Sequence, residues 1–235
     1  MKTLAYFILV ALLATGCDMN CIQGEGTVEE RVLDMPSFTG IEVGGSMQVT
    51  IEKGTPQQIT VTAQPNLLDL LNTEVKGDFW RIRTSKCWTS GADFKVHIIT
   101  PSLINSVKAQ GSADVHTQDV FGSGSVKLST EGSSIITVAG INEKKLDLDI
   151  SGSGAITIHG TCSELNASLS GSGDLYGQNL TANAASVNVS GSGSATFIAI
   201  TKLDAKVSGS GMVRYGGKPN VNSKISGSGS VSPLE

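Results

Sequence analysis

The chain is poor in aromatic side chains, which make up 5% of its 235 residues. Thick mixed cores are built around such rings, so their scarcity beside 28 glycines and 39% apolar residues favours thin, stacked layers. Charge is sparse too, at 16%, with a formal net of −4 and no block of Lys or Arg, which argues against a nucleic-acid partner. Cys21, Cys87 and Cys162 stand far from one another, none at the short spacing of a zinc site, and neither a metal nor another cofactor is expected. The Gly-Ser-Gly triplets lack the Gly-Lys-Ser/Thr ending of a phosphate loop and lie between strands, with no helix to receive a phosphate. Gly171-Ser172-Gly173-Asp174 has the shape of a calcium β-roll turn, but Ala155, Ser194, Met212 and Ser230 stand where Asp174 sits in other repeats, and one carboxylate does not hold calcium. A polysaccharide lyase or hydrolase needs clustered carboxylates, or a metal with a base. Asp147 and Asp149 are the one close pair on an outward strand face, and His97, His116 and His159 do not form a column, so no catalytic residue is assigned.

What is abundant is a repeat. Ser-Gly-Ser-Gly begins at Ser151, Ser170, Ser190, Ser208 and Ser226. With the glycine before a serine as the marker, Gly111, Gly132, Gly152, Gly171, Gly191, Gly209 and Gly227 follow one another at 21, 20, 19, 20, 18 and 18 residues, the period of a solenoid. Six, four and two places before a marker stand apolar or small residues such as Leu146, Leu148 and Ile150, or Ala185, Val187 and Val189, while the fifth place is polar in Lys127, Asp147, Asn166, Ser186, Asp204 and Asn222. Strict alternation of this kind buries one face of a strand. A second inward column lies four places after the marker in Val115, Ile136, Ile156, Leu175, Ala195, Val213 and Val231. At ~3.3 Å per residue a coil has a perimeter of roughly 60 Å, and equivalent strands stack in parallel at ~4.8 Å. The predicted fold is all-β: a parallel β-helix, expected to be right-handed, with coils of 18–21 residues.

Ser112, Ser133, Ser153, Ser172, Ser192, Ser210 and Ser228 each follow a marker, and their hydroxyls are expected to form a structural ladder up the stack. Gly45-Ser46, with Ile41 and Val43 before it and Val49 and Ile51 after, fits the same template as a first rung. Residues 37–107 then form an elaborated capping part and 108–235 the regular coils, with Pro65–Leu71 the one plausible helix.

Lys2 followed by the apolar run Leu4–Ala14 reads as an export signal, too short to span a bilayer as a mature helix. Thr15-Gly16-Cys17 resembles the end of a bacterial lipoprotein signal, departing from it at Ala14, where the motif usually has Leu. The resemblance implies cleavage after residue 16, lipidation of Cys17 and a cell-envelope protein held to a membrane by its lipid, as an outer-membrane lipoprotein. Residues 17–36 are expected to be a tether of little order. Cys21, Cys87 and Cys162 remain, an odd number that permits at most one disulfide whose pairing the spacing does not reveal.

Phe38-Thr39-Gly40-Ile41-Glu42-Val43 leading into Gly45-Ser46, Pro101-Ser102-Leu103 before Gly111-Ser112, and the Ser-Gly-Ser-Gly coils resemble the putative auto-transporter adhesin, head GIN domain family of Bacteroidetes-type bacteria. That resemblance implies an exported β-helical protein and supplies no catalytic residues. Solenoid faces suit extended glycans or protein strands. Trp80 and Trp88, with Arg83 and Lys86, gather aromatic and cationic side chains and form the candidate binding surface. The expected function is adhesin-like binding of a glycan or surface protein without catalysis. The alternatives are a structural rod that self-associates end to end and a polysaccharide-acting enzyme.

Overall fold

The computed structural model describes residues 21–89 and 94–234, and the chain is 68% strand and 2% helix. The export segment, Cys17 and residues 90–93 lie outside the described residues. In chain order the first elements are β1 (Glu29–Leu33), β2 (Gly40–Val43), β3 (Gln48–Lys53), β4 (Gln58–Ala63), α1 (Pro65–Leu68), β5 (Val75–Lys76), β6 (Phe79–Ile82) and β7 (Lys95–Thr100). There follow β8 (Ser106–Gly111), β9 (Asp114–Gln118), β10 (Ser125–Gly132), β11 (Ile135–Gly152), β12 (Ala155–Gly171), β13 (Asp174–Gly191), β14 (Ser194–Gly209), β15 (Met212–Gly216), β16 (Asn220–Gly227) and β17 (Ser230–Pro233).

The pairings make a β-solenoid with two long walls. Along the first wall β6, β2, β8 and β10 stack in parallel, followed by the C-terminal halves of β11 to β14 and then β16. The second wall runs from β7 through β3 and β9 to the N-terminal halves of β11 to β14, then β15 and β17. Register is held by side-chain alternation: Leu128, Leu148, Ala167, Val187 and Ala205 lie one above another, all buried. A one-residue slip would expose such a column, at about 1.5–3 kcal/mol for each Leu, Ile or Val.

Sequence order and stacking order differ at the capped end. The Gly45 rung lies between two rungs that follow it in sequence, β6–β7 below and β8–β9 above. Below β7 the second wall turns antiparallel, first with β4 and then with β1. These strands, with α1 and the β5–β6 hairpin, cover the stack. An end coil needs such a cover because a bare edge offers unpaired N–H and C=O groups.

Two expectations are corrected. The tether over 17–36 is ordered in its described part, since β1 takes the free edge of β4 from Glu29↔Ala63 to Leu33↔Ile59 and Cys21 is bonded to Cys87. Arg31 adds an ion pair to Asp69 at 2.9 Å. The serine ladder is a main-chain ladder. The Ser133, Ser153, Ser172 and Ser192 N–H groups donate to the marker-glycine carbonyl of the preceding coil at 2.7–2.8 Å, while the seven serine side chains lie exposed. The left-handed φ of the glycine, +100° at Gly152, turns the next N–H along the stack and the next side chain outward. Ser134, which replaces the second glycine of its coil, does turn inward, and its hydroxyl donates to the Ala109 carbonyl at 2.8 Å.

Candidate functional site

Four hollows lie side by side on the outer face of the first wall. The one nearest the cap, about 350 Å³, is bordered by Phe79, Ser106, Lys108, Lys127 and Glu131. It shares Lys127 and Asp149 with a second of about 290 Å³, bordered by Asp147, Asn166, Ser168, Ser186 and Asn188. Ser186 and Asn188 belong as well to a third of about 390 Å³, which reaches Asp204, Lys206, Asn222 and Lys224. A fourth adjoins it beside Ser190, Ser208 and Ser226. Together they form a continuous polar trough across nine strands, roughly 40 Å long at ~4.8 Å per strand.

Alternation builds the trough: every second side chain of each strand leaves the core, and parallel stacking lines these up as columns. Most of its charges are matched. Lys108 meets Glu131 at 2.6 Å, Lys127 meets Asp149 at 3.0 Å, Lys145 meets Asp147 at 3.1 Å and Lys202 meets Asp204 at 2.6 Å. Lys108, then Gln110, hold the Glu131 carboxyl below its ordinary range; Lys202, then Asn222, do the same for Asp204. Asn166 donates to Asp147 at 3.0 Å. The Asp147 and Asp149 carboxylates are thus engaged by different lysines, and no group of carboxylates, histidines or cysteines suited to a metal occurs among the described residues.

The candidate binding residues fall apart in space. Trp80 is fully buried, so its assignment to a binding surface is corrected: it stacks on Ile41, packs 5.6 Å from Phe38, and its Nε1–H donates to the Asn72 carbonyl at 2.9 Å. Trp88 is partly buried, 5.9 Å from the Phe94 ring and bridged to Ile22. Arg83 and Lys86 are exposed, and neither borders the four hollows. What the sequence reading missed is Phe79. The alternation that buries Trp80 and Ile82 turns the Phe79 ring outward, 39% exposed, over Gly40. That alternation was the available signal. Cys162 is a buried free thiol, pushed up to about 11 by burial.

These features define a class: a single parallel β-solenoid, capped at its N-terminal end, presenting one long polar trough. The chain belongs to the family described as putative auto-transporter adhesin, head GIN domain, which matches residues 37–219. Among solved structures it is similar to a putative adhesin from Bacteroides fragilis NCTC 9343, with 22% identity, a TM-score of 0.84, and 91% of this chain and 100% of that one covered. A putative adhesin from Parabacteroides distasonis ATCC 8503 is 26% identical with a TM-score of 0.75, covering 92% of this chain and 100% of that one. A putative lipid binding protein from the same organism is 22% identical with a TM-score of 0.73, covering 91% and 99%. No protein of curated function matches. No helix among the described residues is long and apolar enough to cross a membrane.

Proposed function

We propose that the chain is a non-catalytic, exported envelope protein of adhesin type that holds a glycan along the trough of its first wall. The continuity of the four hollows carries this reading: Lys, Asp, Asn and Ser side chains project at strand spacing beside a shallow groove, where sugar hydroxyls find donors and acceptors in register. Phe79 at the capped end offers an aromatic face for a sugar ring. The family name supports adhesion. Leu4–Ala14 and Thr15-Gly16-Cys17 support export and a lipid on Cys17, and with them the reading as an outer-membrane lipoprotein; a Cys17→Ala variant is expected to leave the membrane fraction.

The test is a glycan array probed with the processed protein and with Phe79→Ala and Ser168→Leu variants of unchanged circular dichroism. The wild type is expected to bind a defined set of glycans, Phe79→Ala to weaken that binding about fivefold, in line with an aromatic contact of about 1 kcal/mol, and Ser168→Leu to block the groove. Equal binding by all three proteins would remove the trough from the function. No binding by any would favour a structural rod, a reading supported by the bare edges of β16 and β17, although Pro219 and Lys224 blunt the first and Pro233 the second.

A further inference from the structure

We infer that the open end of the trough is an anion site, formed by Lys206 and Lys224, that takes the carboxylate or sulfate of an acidic sugar residue; this rests on the trough being the glycan surface. The observation is a break in the charge pattern. Four other lysines along the wall each sit within 3.1 Å of a carboxylate. Lys206 and Lys224 occupy the same column on neighbouring rungs, directly aligned, and among the described residues neither makes an ion pair within 4.0 Å. Like charges directly opposite one another destabilise a sheet, so this pair works against the fold unless an anion lies between the two. Lys224 lies on the edge strand β16, where a lysine also discourages strand pairing, but Lys206 lies one rung inside, where no edge needs protection. Asp204, the one carboxylate of this hollow, is bonded to Lys202 and lies in the field of Lys206 as well, so three lysines share one carboxylate and a surplus of two positive charges remains.

The rest of the lining fits a sugar better than a lipid surface. Asn188, Asn222 and the serines that precede the marker glycines, Ser190, Ser208 and Ser226, supply donors and acceptors for hydroxyl groups. The alkyl stems of the two lysines offer an apolar flank to a pyranose ring. An interfacial membrane site would instead set exposed large apolar side chains beside the basic ones, whereas the apolar side chains bordering these two hollows, Val189 and Val207 with Ala205, are buried.

The experiment measures binding of the processed protein to dextran, dextran sulfate and polygalacturonate at about 0.1 M salt, where screening still leaves charge contacts visible. Variants are Lys206→Gln, Lys224→Gln, the double variant, and Lys53→Gln/Lys76→Gln on the cap as a control of equal charge change. Lys206→Gln alone is expected to weaken binding to one or both acidic polymers about threefold to fivefold and the double variant tenfold or more, with the control variant and dextran binding unchanged. Response to dextran sulfate alone or to polygalacturonate alone names the sulfate or the carboxylate as the recognised group. Acidic-polymer binding that survives in the double variant overturns the inference. So does binding of phosphatidylglycerol vesicles that depends on both lysines while the polymers do not compete, or a dimer on gel filtration that the double variant abolishes. Dextran binding that needs Phe79 but not the lysines would leave the trough reading standing and this site refuted. Failure of every polymer to bind would sink both.

Discussion

A marker glycine meets two demands at once: its φ is left-handed, and its Cα faces the carbonyl of the coil below. The two demands separate at particular residues. At Gly152, φ is +100° and an added Cβ would stand 2.6 Å from the Gly132 oxygen, whereas at Gly45, φ is +81° and nothing lies within 4 Å. Gly45→Ala is therefore expected to cost about 1–2 kcal/mol through the dihedral alone. Gly152→Ala, which must also push two rungs apart, should cost roughly 4 kcal/mol. Denaturant unfolding of both variants checks this, and equal costs would show that the rungs yield freely. Cys162 gives a prediction of another kind. With burial pushing its thiol up to about 11, the folded protein at pH 8 holds almost no thiolate at that site. Iodoacetamide should label the Cys162 peptide slowly in the native protein, with labelling rising steeply only as pH approaches 11 or the chain unfolds. Ready labelling at pH 8 would mean that the corner holding Cys162 opens.

Among elements, the cap shows where the sequence was legible and where it was not. Period-2 alternation identifies Trp80 and Ile82 as inward and Phe79 and Arg81 as outward, so the buried Trp80 and exposed Phe79 were both readable, whereas the clustering of aromatic and cationic residues along the chain points to Trp80. The seven markers and their columns were legible because each coil repeats the same constraint. The order of β1 was not: Glu29-Glu30-Arg31-Val32-Leu33 is a half-exposed edge strand with no core stripe, held by a partner about thirty residues away and by a disulfide across 66 residues. A Ser after Gly is equally consistent with a hydroxyl ladder and an amide ladder, so only the main-chain course separates the two. Closing a loop of that size by Cys21–Cys87 stabilises by roughly 4 kcal/mol in the chain-entropy model. Cys21→Ser/Cys87→Ser should therefore speed amide exchange in β1 and at Ile22 and Trp88, and lower the melting temperature, while β12 and β13 stay protected. Unchanged exchange in β1 would show that its pairing with β4 suffices alone.

The whole molecule is a stack whose ends are unlike. The first rung is sealed by α1, β4, β1 and the hairpin, with Phe38, Met47, Trp80 and Phe94 buried beneath them. The last is bare: Ile225 is 45% exposed on β16, Leu234 is 38% exposed, and Ser223 stands in a column that holds Leu148, Ala167, Val187 and Ala205 further down. A stack in which each coil touches only its neighbours loses stability from an open end inward, because the terminal coil has one interface instead of two. Amide exchange should thus fall in steps from β16, through the C-terminal half of β14, to a plateau at β12, with the outermost strand opening at far lower free energy than the whole chain unfolds. Removing the interior contact of the second coil by Leu203→Ala should steepen that gradient near the open end and leave the cap untouched. If β16 instead proved as protected as β12 at high protein concentration and lost that protection on dilution, a second copy would be seated on the open edge, and the rod would displace the glycan trough as the reading of this molecule.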